Sequence, residues 1–172
     1  MKRIIIVLFL LCSFANLNAQ KRYRGFVDLG YSIGVADDSF ISCLKQDKLE
    51  FLTTHGIMVN SHIFLGGGIG INYVMGGVSD LNIPVYAAFQ YELISNSISP
   101  FFNFKAGYSF SSVSNIQGPM ISPAFGVKFP FKEEYAFNLA IAPTFLIVTV
   151  PKEGQDWTEG NIGISIRAGF EF

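Results

Sequence analysis

The chain is poor in the residues that soluble chemistry is usually built from. Only two of its 172 residues are cysteine, Cys12 and Cys43. Cys12 follows an N-terminal apolar run and is expected to be removed with it, which leaves Cys43 with no internal disulfide partner. A reactive thiol needs a neighbouring base, and none is evident around Cys43. The only two histidines are His55 and His62, and no Cys/His pattern has the spacing of a metal site. Charged residues make up 15% of the chain, without the basic patch that nucleic acid requires. Beyond the N-terminus no apolar run approaches the roughly 20 residues of a spanning helix, and helical periodicity is missing. Yet half the residues are hydrophobic, and phenylalanine alone occurs 18 times. Such apolar content without a spanning helix leaves two classes, a soluble all-β domain or a transmembrane barrel.

The first 19 residues read as a signal peptide. Lys2 and Arg3 precede the apolar run Ile4 to Leu11, which is too short to cross a bilayer. Leu17-Asn18-Ala19 gives the preferred cleavage site, with Ser13-Phe14-Ala15 as the alternative. A lipoprotein signal does not fit, because the large Leu11 precedes Cys12 where a small residue is needed. Residues 20–172 then form one domain, with ten basic and thirteen acidic residues and no linker or repeat unit.

Within that domain a period of two recurs. It is plainest at the end, where Ile162, Ile164, Ile166, Ala168, Phe170 and Phe172 alternate with Gly163, Ser165, Arg167, Gly169 and Glu171. This is a strand with one apolar and one polar face. A face carrying arginine and glutamate does not suit a dry core. Seven further segments follow the same rule: 23–35, 49–59, 63–73, 83–93, 101–110, 120–129 and 135–148. The second alternates poorly, and its register stays open. The expected connections alternate in length: 36–48 long, 60–62 tight, 74–82 longer, 95–99 short, 111–118 longer, 132–134 tight and 149–160 long. Short turns at one end and longer loops at the other, with an even strand count, are the habit of bacterial outer-membrane barrels. Both chain ends then lie on the periplasmic side.

The faces opposite the apolar ones collect Arg24, Lys105, Lys128 and Arg167 against Asp28, Glu92 and Glu171, and Glu50 is a candidate to join them. Isolated charges in a narrow interior are costly, so pairing is expected. Eight strands enclose a space that side chains can fill. The expectation is a plugged lumen with a hydrogen-bonded charge network, with a narrow channel for small solutes as the alternative.

The eight segments, the connection lengths and the ending Arg167-Ala168-Gly169-Phe170-Glu171-Phe172 resemble the small outer-membrane β-barrel family that includes the OmpA barrel and OmpX. The resemblance covers the whole chain after the signal. It implies an eight-stranded, antiparallel, closed transmembrane barrel in the outer membrane, in contact with outer-membrane lipid and lipopolysaccharide. It also implies recognition of Phe172, aided by Phe170, by the barrel-assembly machinery. A cell-wall tether through a following peptidoglycan-binding domain is not expected. A structural or surface-interaction role through the outer loops is the implied function, with no cofactor.

Some barrels of this size modify lipid A. The deacylases among them resemble serine hydrolases, with a histidine and a serine two residues apart on one strand face. Here Ile57 and Phe64 stand two residues after His55 and His62, so the pattern is not met and an enzyme is not expected. Gly66-Gly67-Gly68-Ile69-Gly70 lacks the lysine and hydroxyl residue of a phosphate loop. Glycines inside a strand instead permit curvature or close approach of a bulky neighbour. Asp37-Asp38 and the set Glu153, Asp156 and Glu159 lack calcium-loop spacing. Trp157, on what the pattern reads as a polar outer loop, is a candidate contact anchor for a surface ligand, or an interfacial anchor.

Overall fold

The computed structural model describes residues 23–35, 47–75, 80–94, 98–111, 117–132, 135–152 and 155–172. The signal segment, Cys43, Asp37, Asp38 and Glu153 lie outside these residues. Eight strands follow in chain order: β1 (Tyr23–Val35), β2 (Asp47–Met58), β3 (Ile63–Met75), β4 (Asp80–Glu92), β5 (Ser99–Ser111), β6 (Gly118–Pro130), β7 (Ala136–Lys152) and β8 (Gln155–Glu171). Each pairs antiparallel with the next, and β1 also pairs with β8, closing a barrel. Closure removes the open edges that would otherwise expose unpaired backbone. The last bonds of the closing seam run between Gly25 and Phe172, at 2.7 and 2.9 Å.

The alternation of sequence becomes an inversion of burial. Leu29, Ile166 and Phe125 are 61%, 57% and 65% exposed, while Glu171, Lys105 and Glu50 are 0%, 3% and 4% exposed. Among the described residues apolar side chains cover the outside of the wall, while Asp28, Glu50, Glu92, Lys105, Arg167 and Glu171 are buried within it. Such an exterior is stable only against lipid.

The open register of β2 is settled by its neighbours. Glu50 lies opposite Gly30 on β1 and Asn72 on β3, both inward-facing positions. Lys48, Glu50, Leu52 and Thr54 therefore face the lumen, and Leu49, Phe51, His55 and Ile57 face out. The tight turn at 60–62 forms as expected. Asn60 Oδ1 accepts from the amides of His62 and Ile63, both at 2.8 Å.

The expected alternation of connection lengths does not hold. Strands β3 and β4 extend to Met75 and from Asp80, so only residues 76–79 lie between them. The expected long loop 149–160 is instead a continuation of β7 and β8, with residues 153–154 between the strands. Pairing of β6 with β7 stops at Met120 and Leu146, and pairing of β1 with β8 stops at Val35 and Ile162. Beyond those points β7 and β8 pair only with each other, as a hairpin arm. Trp157 sits on this arm opposite Val150, in a strand and not in a loop. Sequence polarity suggested a loop because Asp156 and Glu159 interrupt the apolar pattern. The strand-forming run Ile147-Val148-Thr149-Val150 nevertheless finds a partner strand.

The glycines of β3 serve close packing. A Cβ on Gly66 would stand 2.6 Å from the Phe64 ring, and one on Gly68 would stand 2.5 Å from the Tyr86 ring. Phe26, Leu52, Phe64, Tyr86 and Ala88 thereby form an apolar cluster within the lumen.

Candidate functional site

The lumen gathers the charges that the sequence singled out. At the end carrying residues 23 and 172, Arg24 Nη1 lies 3.2 Å from Glu171 Oε1. Lys128 Nζ links the same Glu171 oxygen, at 3.0 Å, to Glu92 Oε1, at 3.0 Å. Gln90 Nε2 donates to Glu92 at 3.3 Å and Asn103 Nδ2 donates to Gln90 at 3.1 Å, extending this lower layer around the wall. Alternation along β5 then places Lys105 one inward position beyond Asn103. Its Nζ meets Asp28 Oδ2 at 2.8 Å and stands 5.2 Å from the centre of the Tyr86 ring. Above it, Arg167 Nε donates to Glu50 Oε2 at 2.7 Å. Ser165 Oγ donates to the other oxygen of Glu50 at 3.1 Å, and Arg167 Nη2 donates to Thr144 Oγ1 at 3.2 Å.

All seven expected network residues face the lumen and form ion pairs. Glu50 completes the set, so that four carboxylates meet four cations. Lys48 also faces the lumen, and the sequence reading did not place it there. Counting back from the 60–62 turn would have located it, because a tight turn sets the register of the strands it joins. Charges this deeply buried are tolerated only when paired and hydrogen-bonded. Among the described residues, side chains of the lumen line two chambers of about 20 Å³ each. The lower is lined in part by Asp28, Asn103, Lys105, Ala124, Ala140 and Arg167, and the upper in part by Ser32, Lys48, Glu50, Asn72 and Asn82. A space of this size holds about one water molecule.

The outer wall carries aromatic clusters. Near the chain ends Phe170 packs on Tyr135, Phe137 and Phe172, with ring centres 5.5–6.3 Å apart. Tyr31, Tyr73, Tyr108 and Phe110 are exposed toward the opposite end. Two aromatic bands flanking an apolar belt match the two interfaces of a bilayer.

His55 belongs to the outer wall. Its Nε2 lies 2.8 Å from Thr53 Oγ1 and its Nδ1 lies 2.5 Å from Tyr23 OH. A hydroxyl thus stands two residues from the histidine, but before it, on a threonine, and a phenol occupies the place of the orienting acid. His62 is a turn residue bonded to Ser61 Oγ at 2.8 Å. Among the described residues, no group of three or more histidine, cysteine, aspartate or glutamate residues is arranged to hold a metal ion.

No protein-family model matches the chain, and no curated protein matches it in sequence. Solved structures do. Neisserial surface protein A superimposes with a TM-score of 0.69 at 9% identity, over 87% of this chain and 95% of that one. The chain has the fold of the small outer-membrane β-barrels. The outer membrane protein OprG of Pseudomonas aeruginosa (TM-score 0.52, 14% identity, 87% and 95% of the two chains) shares it. So does the outer membrane enzyme PagL (0.53, 16% identity, 83% and 97%). The barrel therefore has the architecture and lipid-facing exterior of an outer-membrane protein, on a fold that hosts more than one kind of activity.

Proposed function

We propose that this barrel is a sealed, non-enzymatic element of the outer membrane whose role is structural or interactive. It presents the β7–β8 arm, and the ends of β1 and β2 at Val35 and Asp47, on the side away from the chain ends. The observation that carries this reading is the lumen. Asp28, Glu50, Glu92 and Glu171 are each ion-paired there with one or more of Arg24, Lys105, Lys128 and Arg167, and the chambers between the described side chains are water-sized. Continuous solute flow needs a connected water column, and ion pairs that cross the lumen oppose one. Phe170 and Phe172, at the end of the closing strand, are proposed as the segment read by the assembly machinery, and lipopolysaccharide as a neighbour of the outer wall. Trp157 on the arm is the proposed contact anchor for a surface partner.

The test is current through planar bilayers holding the purified full-length barrel. A sealed lumen gives no stepwise current across the voltage range. Regular unitary steps from the unmodified protein would overturn this reading in favour of a narrow channel.

A further inference from the structure

The barrel wall has a weak place. Pairing between β6 and β7 runs through Ile121↔Phe145 and resumes at Phe125↔Ile141, with no pairs across 122–124 and 142–144. By this register Pro123 stands opposite Pro143. Pro123 keeps its pairing with Phe104 on β5, and Pro143 keeps its pairing with Ile164 on β8. In an antiparallel strand a residue directs both backbone groups toward one neighbour. Since the ladders on the far sides are unbroken, both missing N–H groups belong to the β6–β7 seam. Two carbonyls there lack the amides that would serve them, within an apolar belt where such groups are costly.

The lumen side of this seam is thin. Ser122, Ala124, Ala140 and Ala142 are buried behind it, and the three alanines cluster with Phe101. The polar contact spanning the break is Ser122 Oγ to Thr144 Oγ1, at 3.0 Å. Ala124 and Ala140 also line the lower chamber. Two further residues of that chamber carry buried polar atoms without a hydrogen-bond partner, Arg167 Nη1 and Asn103 Oδ1. One is a donor and the other an acceptor, so a group that both accepts and donates satisfies them together. The pairing of β3 with β4 is also interrupted, at Pro84. There the inward Pro84 ring and Leu52 are among the most buried side chains, and they fill the wall from within.

We propose that the β6–β7 seam is a lateral port between the bilayer and the lower chamber, and that its ligand is a hydroxyl-headed amphiphile. A hydroxyl has the size of a water molecule, for which the chamber has room, and its chemistry serves both Arg167 Nη1 and Asn103 Oδ1. The tail stays in the membrane, along the proline pair. Such a port opens to lipid and not to the far side, so it is compatible with a barrel that conducts no ions.

The test uses the full-length barrel in nanodiscs with labelled alanine methyl groups and a spin-labelled long-chain alcohol as probe. The expected result is several-fold stronger broadening of the Ala124 and Ala140 signals than of Ala88, a lumen alanine on β4. A Ser122→Cys/Thr144→Cys disulfide, in a Cys43→Ser background, should reduce that broadening to the Ala88 level, and reductant should restore it. Pro123→Val with Pro143→Val, which supplies the missing amides, should have the same effect as the disulfide. It carries the test alone if the cysteine variant does not fold, as judged by cold-SDS mobility. Equal broadening at all three alanines, or broadening that persists in the folded variants, would overturn the port.

Discussion

At the scale of single residues, each inward or outward position makes a separate demand. Ile166 is 57% exposed on the lipid face, while its neighbour Ser165 is fully buried and bonded to Glu50. Ile166→Arg places a charge on the lipid side near mid-strand, at a cost of about 2–4 kcal/mol. Its assembly into the outer membrane should fail, whereas Ser165→Thr, which keeps the hydroxyl, should assemble. Equal heat-modifiable yields for the two variants would reverse the assigned register of β8. Glu50 presents the opposite case. Glu50→Ala leaves Arg167, which is 4% exposed, without its carboxylate. The loss should be about 3–5 kcal/mol, read from the denaturant midpoint of the refolded barrel. The facing of these residues was legible in sequence wherever alternation was strict. It was not legible for Glu50, because Leu52-Thr53-Thr54-His55 offers no clear apolar face.

The elements show where alternation stops being a guide. Lengths of β3, β4, β7 and β8 were underestimated because polar residues such as Asp80, Asn82 and Asp156 were read as loop. Once two strands are paired, the ladder bonds hold such residues in extended backbone whatever their polarity, and Asp80 and Asn82 turn inward to a polar lumen. The β7–β8 arm makes the clearest case, since residues 147–160 pair only within the hairpin. Replacing 149–160 by a two-residue turn should therefore leave barrel stability within about 1 kcal/mol, since the change lies away from the packed wall. The denaturant midpoint of the shortened protein checks this. A large drop would mean that the arm packs on the barrel. Proline carries a further lesson at this scale. Pro123 and Pro143 lie twenty residues apart in sequence, and nothing local marks them as opposite each other.

For the whole molecule, closure is the decisive property. Protein taken from purified outer membranes should migrate differently in SDS before and after boiling, because a closed barrel resists unfolding in cold detergent. Recovery from the soluble periplasmic fraction with no shift would contradict the lipid-facing exterior. Sequence alone specifies the strand class, the count of eight, and seven of the charges that turn inward. A period of two is a property of the backbone, and a charge beside a lipid-facing residue has only the lumen to enter. Tertiary structure alone decided which charges pair, since Arg167 meets Glu50 from 117 residues away and Lys105 meets Asp28 from 77. It also decided where two prolines interrupt one seam. Both outcomes depend on register between neighbouring strands and on the stagger that closure imposes around the barrel, and neither is a property of any one segment.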